Sequence, residues 1–184
     1  MSRYMLDRTI VMIGMMGAGK TAVGTALAKF LGVAFLDSDH EIEAAANQSV
    51  AEIFETYGEP FFRDKETLVI ARLLAGKPCV LSTGGGAFLQ AANRELIAEK
   101  GLAVWLKAEP DLLWSRVRHK DTRPLLRVPD PKAKLLELLA SREPAYSRAG
   151  LVVEAEANLS VQDMAQKVLT ALIAHPSGIV KEIA

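Results

Sequence analysis

Gly14-Met15-Met16-Gly17-Ala18-Gly19-Lys20-Thr21 follows the apolar run Thr9-Ile10-Val11-Met12-Ile13 and precedes a helix-favouring stretch from Ala22 to Leu31. Strand, glycine-rich loop and helix in that order make a phosphate-binding loop, Gly-x-x-x-x-Gly-Lys-Thr, rather than a plain turn. Glycines let backbone N–H groups curl around anionic oxygens where a Cβ would obstruct them. The helix that follows points its positive end at the same oxygens. The candidate ligands are the backbones of Gly17, Ala18, Gly19, Lys20, Thr21 and Ala22. Lys20 reaches outer phosphates, and the Thr21 hydroxyl is placed to ligate Mg²⁺. These residues imply a site for a nucleoside triphosphate.

Composition narrows the setting. The 184 residues predict one domain, residues 1–184, large enough to bury a core. Half are hydrophobic and only 6% aromatic, which suits an aliphatic α/β interior. The 22 basic residues balance 22 acidic ones, so the broad basic surface that nucleic acids or membranes attract is missing. The lone Cys79, in the apolar stretch Pro78-Cys79-Val80-Leu81, reads as a buried strand residue and points to a reducing, cytoplasmic setting. The run from Ile10 to Ala18 is explained by the strand and loop rather than by a signal peptide, and no stretch is long enough to span a bilayer. No exposed apolar face is left unassigned, so a monomer is expected.

Apolar runs of strand length recur at Ile10–Ile13, Val33–Leu36, Cys79–Leu81, Ala103–Leu106 and Leu151–Val153. They do not alternate with polar residues, which predicts strands buried on both faces, as in a parallel sheet. Helical stretches lie between them. The last predicts a helix capped by Ser160 that buries Val161, Met164, Ala165, Val168, Leu169, Leu172 and Ile173. Ser49 with Glu52 forms a capping box that opens a helix from Val50 to about Tyr57, and Gly58-Glu59-Pro60 separates it from another over Phe61 to Leu74. Alternating strands and helices imply a three-layer α/β/α domain. The short lead-in and the tail over about 175–184 read as poorly ordered. The arginine- and proline-rich stretch from Arg116 to Pro131 is either a solvated loop or a mobile lid over about 118–131, with arginines that close over the phosphates.

A second constellation follows the strand Val33–Leu36, which runs into Asp37-Ser38-Asp39. Ligands of open α/β sheets lie at the carboxyl ends of strands, so both carboxylates are expected near the phosphate site. One could hold Mg²⁺ through water while the other accepts a hydrogen bond from a substrate hydroxyl. The plainer reading is a polar turn with Ser38 or Asp39 as helix cap. Phe61-Phe62-Arg63 opens a helix, and Ser82-Thr83-Gly84-Gly85-Gly86 follows the third strand. Ser141-Arg142-Glu143-Pro144-Ala145-Tyr146 lies in a helix beyond the lid, which Pro144 should disturb unless it sits near an end.

Together these stretches closely resemble shikimate kinases, from about Arg8 to Ala174. The matching stretches are the phosphate loop, Leu36-Asp37-Ser38-Asp39, Phe62-Arg63, Gly84-Gly85-Gly86, Thr122-Arg123-Pro124-Leu125 and Arg142-Glu143-Pro144-Ala145-Tyr146. The first is generic to many NTPases; the other five, in this order, are specific to the family. The resemblance implies a P-loop kinase with a five-stranded parallel sheet in the order 2-3-1-4-5. It implies transfer of the γ-phosphoryl of ATP, with Mg²⁺, to the 3-hydroxyl of shikimate in aromatic amino-acid biosynthesis. Carried over by position, Lys20, Asp39 and Arg123 are catalytic, and Asp39 also holds the substrate hydroxyls. Asp37 supports Mg²⁺ with Thr21, and Arg63 and Arg142 clamp the shikimate carboxylate. Gly84, Gly85 and Gly86 line the substrate, Arg116 stacks on adenine, and Arg123 touches phosphates and substrate. Phe54 and Phe62 form an apolar wall or simply pack in the core. Two departures stand out: Glu154-Ala155-Glu156-Ala157-Asn158 lacks the family's Asp-Thr and later Pro near adenine, and Ala145 replaces the usual Leu. The alternatives are another small-molecule kinase on this core, such as a gluconate kinase, or a non-catalytic nucleotide-binding module.

Overall fold

The structure is a computed structural model that describes residues 3–120 and 124–184. Five strands form one parallel sheet: β2 (Thr9–Ile13), β3 (Phe35–Asp37), β4 (Val80–Ser82), β5 (Gly101–Lys107) and β6 (Leu151–Glu154). A further strand, β1 (Tyr4–Leu6), precedes them. The spatial order is β3-β4-β2-β5-β6, which is 2-3-1-4-5 when the parallel strands alone are counted, as expected. The central strands are buried on both faces; all five residues of β2 are. The edge strands β3 and β6 are not: β3 is half-buried and Val152 of β6 is exposed. An edge strand has a neighbour on one side only, so the unbroken apolar run overstated its burial.

The helices follow from chain direction. From β2 to β3 the chain crosses the sheet one way, through α1 (Lys20–Leu31). From β3 to β4, through α2 (Ser38–Ala46), α3 (Val50–Tyr57) and α4 (Glu59–Leu74), it returns. Right-handed crossovers put these connections on opposite faces. α5 (Ala91–Lys100), α6 (Pro110–Val117) and α7 (Pro131–Tyr146) continue in the return direction, and α8 (Val161–Ala174) packs back against α1. The chain therefore leaves the adjacent strands β2 and β4 towards opposite faces, which opens a crevice at their carboxyl ends.

Local chemistry sets the helix bounds. The Ser49–Glu52 capping box forms on α3, and Ser160 caps α8 by accepting from the Asp163 amide at 3.1 Å. α4 starts at Glu59, two residues before the expected Phe61, because Pro60 fits the first helical turn. Pro144 sits in the last turn of α7, near the end where the sequence allows it, and the helix runs through it to Tyr146. On α8, Met164, Ala165, Val168, Leu169 and Leu172 are buried, whereas Val161 and Ile173 are exposed. Cys79 is buried, as expected, but precedes β4 rather than lying in it, with Thr9 Oγ1 3.8 Å from its sulfur.

The termini correct the sequence reading. The lead-in and tail pair with each other: β1 runs antiparallel to β7 (Val180–Glu182), with Leu6 opposite Val180. Ile179 and Val180 are 1% and 3% exposed, Lys181 pairs with Asp7 at 2.7 Å, and Arg3 pairs with Glu182. Neither segment carries enough apolar residues to predict order alone, because each supplies half of the pairing. Ending the chain after Ser177 should remove these two aliphatics, about 3–6 kcal/mol by their burial. Thermal melting should fall by on the order of 10 °C. Because the pairing lies at the amino end of β2, away from the phosphate loop, kcat at 20 °C should hold.

Candidate active site

The phosphate loop closes on itself. Gly17 and Gly19 have φ of +83° and +99°, conformations that L side chains rarely adopt, and a Cβ on Gly17 would stand 2.7 Å from Val117 Cγ1. Gly19 is the residue before α1, so the open amides at the helix start face the crevice. Lys20 Nζ donates to the Gly14 and Met15 carbonyls at 2.6 and 3.2 Å, curled over the loop. Arg116, at the end of α6, donates from Nη1 to the Gly17 and Ala18 carbonyls at 3.0 and 3.1 Å. Its guanidinium, which the family resemblance places on adenine, is here anchored to the loop itself.

Asp37 ends β3 and caps α2: its Oδ1 accepts from the Asp39 and His40 amides at 2.9 and 3.2 Å. The cap is therefore the first acid, rather than Ser38 or Asp39. This sets Asp39 in the first turn of α2, where the helix dipole favours a carboxylate. Asp39 packs on the glycine loop, and a Cβ at Gly84 would meet its Oδ2 at 3.0 Å. Its Oδ1 is buried and accepts no hydrogen bond among the described residues. Burial first, then the Asp37 charge, push its pKa up to about 6, against the pull of Lys20 and Arg63. Lys20, Asp39 and Arg63 thus share one field.

That shift carries a stability consequence. The folded state holds the Asp39 proton more tightly than the unfolded chain, whose carboxyl titrates near 3.8. Unfolding therefore releases a proton between those values, and this group's contribution falls as pH rises from about 4 to 6 and stays low above. Asp39→Asn removes the penalty, up to about 3 kcal/mol. We expect the variant to melt above the parent at pH 8, with the two curves converging below pH 4.

Arg63, near the start of α4, donates from Nη1 to Glu66 Oε1 at 2.9 Å and lies 3.4 Å from Glu59. Glu66 is fully buried, its Oε2 is without a hydrogen-bond partner among the described residues, and burial raises its pKa. The Arg63 guanidinium abuts Gly86 so closely that a Cβ there would collide with Nη2. Arg142 of α7 is 7% exposed; its Nη1 lies 3.9 Å from Met15 Sδ and would be 2.6 Å from a Cβ on Gly85. Among the described residues no carboxylate pairs with it. A buried guanidinium without a counter-ion is costly unless an anion arrives. The Phe54 and Phe62 rings meet tilted, with centroids 4.6 Å apart, in a small cluster with Ile42 and Ile53.

The structure therefore brings together the phosphate loop, Lys20, Asp37, Asp39, Arg63, Gly84–Gly86 and Arg142. Arg123 lies outside the described residues. Sequence reasoning missed Glu66. The signal was present: Phe62, Glu66 and Ile70 are four apart on α4, so the glutamate occupies a core position and cannot be a surface partner. Tyr146 closes the Arg142–Tyr146 stretch, and nothing in the spacing of that stretch gives its hydroxyl a task.

A sequence model of the family described as shikimate kinase matches residues 16–173. The chain belongs to the shikimate kinase family. The shikimate kinase of Ruegeria pomeroyi is 63% identical over 167 residues, covering 91% of this chain and 86% of that one. Among solved structures, shikimate kinase from Acinetobacter baumannii in complex with shikimate matches with a TM-score of 0.85 and 42% identity, covering 92% and 94% of the two chains. A gluconokinase from Sinorhizobium meliloti shares the fold alone, with a TM-score of 0.61 at 19% identity over 92% and 93% of the chains. Shikimate kinases and that sugar kinase thus share the core, and the departure at Ala145 leaves α7 intact through Tyr146.

Proposed function

We infer that this chain, as a shikimate kinase family member, transfers the γ-phosphoryl of ATP to the 3-hydroxyl of shikimate, through the residues gathered at the crevice. The observation that carries the residue assignment is Arg142, buried without an acid among the described residues and set beside Arg63 over the glycine loop. Two planar guanidiniums suit a carboxylate, which each can bind in two places. The orphaned Asp39 Oδ1 lies on the same glycine loop and suits a ligand hydroxyl.

The order of events follows from these positions. Arg63 and Arg142 hold the carboxylate end of the substrate, and Gly84, Gly85 and Gly86 let it lie against backbone. Asp39 accepts the hydrogen bond of the reacting hydroxyl and orients its oxygen. A carboxylate is too weak a base to deprotonate an alcohol outright, but phosphoryl transfer has a loose transition state in which the proton leaves late. Orientation alone can supply about 7–11 kcal/mol. Lys20 swings from the Gly14 and Met15 carbonyls to the outer phosphates, where its charge offsets that of the transferring group. Arg123 is assigned to the same task on the family pattern Thr122-Arg123-Pro124-Leu125, with the surrounding stretch as a lid, and Arg116 is assigned to adenine.

Mg²⁺ binding commonly needs only one or two protein ligands beside phosphate oxygens and water. The exposed Thr21 hydroxyl and the half-buried Asp37 fit that requirement, since Asp37 uses only Oδ1 as a cap. No group of three or more His, Cys, Asp or Glu occurs as a metal cage among the described residues, in keeping with an ion shared with the nucleotide. Bound there, Mg²⁺ would neutralise phosphate charge. No helix among the described residues is long and apolar enough to cross a membrane. We place the reaction in the cytoplasm and take the chain as a monomer. The test is a coupled assay with ATP and Mg²⁺ that offers shikimate or gluconate: ADP release only with shikimate is expected, and equal release with gluconate would overturn the assignment.

A further inference from the structure

Of the three carbonyls in Gly84-Gly85-Gly86, two are held by local turns: Gly84 O accepts from the Ala87 amide at 3.1 Å and Gly86 O from the Leu89 amide at 3.2 Å. The middle one is not. Gly85 O accepts from the Tyr146 hydroxyl at 2.6 Å. Tyr146 is fully buried at the end of α7, with the Trp105 ring 5.7 Å away, and is one helical turn beyond Arg142. Burial raises its pKa while the Arg142 guanidinium beside it pulls the other way, so the hydroxyl remains a proton donor at neutral pH. Among the described residues the Gly85 and Gly86 amides have no hydrogen-bond acceptor.

These facts combine through the planarity of one peptide bond. The Gly85 carbonyl and the Gly86 N–H belong to the same plane and point in opposite directions. Between two glycines such a plane turns over at little steric cost, because neither residue has a Cβ. A tether on the carbonyl therefore fixes the direction of the amide. We propose that Tyr146 is a positioning residue, which locks the Gly85–Gly86 peptide so that the Gly86 N–H, beside the Arg63 guanidinium, is presented to an oxygen of the bound hydroxy acid. The inference rests on the placement of shikimate at the glycine loop given above. The same helix thus supplies the carboxylate-binding Arg142 and, four residues on, the group that aims the backbone opposite it.

The test is Tyr146→Phe, which keeps the ring and its contact with Trp105 and removes only the hydroxyl. KM for shikimate, and its calorimetric Kd, should rise about ten-fold, the worth of one well-placed hydrogen bond. KM for ATP should stay within about two-fold, and kcat should change far less than the shikimate KM. An unchanged shikimate KM would overturn the proposal. So would a parallel rise for both substrates with a lowered melting temperature, the mark of a merely structural role. Arg63→Ala, measured alongside, separates the two layers of argument. If it too leaves shikimate affinity intact, the pocket is misplaced; if only Tyr146→Phe does, the pocket stands and the tyrosine's task falls. Should the variant not fold, parent enzyme labelled with ¹⁵N-glycine decides: the Gly86 amide resonance should move when shikimate is added, and an unmoved resonance at saturation overturns the proposal.

Discussion

Asp39→Asn should fold as the parent does and lose turnover by about two to four powers of ten, the usual worth of a positioned proton acceptor. Asparagine keeps the size and one oxygen but cannot take a proton from the reacting hydroxyl. The parent's kcat/KM should rise through the pKa of about 6 and level off above it, because the ionised carboxylate is the working form. The variant's residual activity should lack that limb. Stopped-flow or coupled assays from pH 5 to 8.5 read both effects. Turnover near the parent's, or an unaltered acidic limb in the variant, would remove Asp39 from the chemistry. The higher melting temperature expected of the variant at pH 8, once measured, separates a loss of chemistry from a loss of folding.

Arg63→Ala should weaken shikimate binding by about 2–5 kcal/mol, the loss seen when one side of a desolvated charge pair is removed. That is roughly 30-fold to several thousand-fold in Kd by calorimetry. ATP affinity should be largely kept, because the nucleotide loop is built from β2 and α1 and Arg63 belongs to α4. A second effect comes with the first. Glu66, fully buried, loses the partner whose charge and hydrogen bond hold its pKa down. It then binds its proton more tightly, and the variant loses stability as pH rises, more steeply than the parent. Arg63→Met with Glu66→Gln removes both charges from the pair and should recover the melting temperature without recovering shikimate affinity. Equal losses of ATP and shikimate affinity in the double variant would mean that Arg63 acts through the fold.

The parts of this site that the sequence made legible are those whose chemistry is local. The phosphate loop spans eight consecutive residues whose glycines, lysine and threonine each act within the segment. The capping box on α3 and the Ser160 cap of α8 likewise need residues only three apart. Paired groups far apart in the chain were not legible. Asp39 meets Gly84, Arg142 meets Gly85, Arg63 meets Gly86, and Tyr146 meets Gly85 across 61 residues. No periodicity encodes such a meeting; the family resemblance named most of these residues without saying which touches which. The order of the terminal segments was illegible for the same reason, since Leu6 and Val180 become a buried pair only when chain ends 174 residues apart are laid together.

By itself, the amino-acid order determined that a nucleotide loop follows a buried strand, that strands alternate with helices, and that arginines and acids are held in reserve. Those outcomes depend on φ preferences, capping and apolar spacing, which act over a few residues. Tertiary structure alone decided that Asp39 is a carboxylate with a raised pKa and an orphan oxygen, that Glu66 serves Arg63 from the core, and that Tyr146 has one carbonyl to hold. Burial and field strength are properties of what surrounds a group, and here the surroundings come from the loops after β2, β3 and β4 and from α4 and α7, which the chain visits far apart.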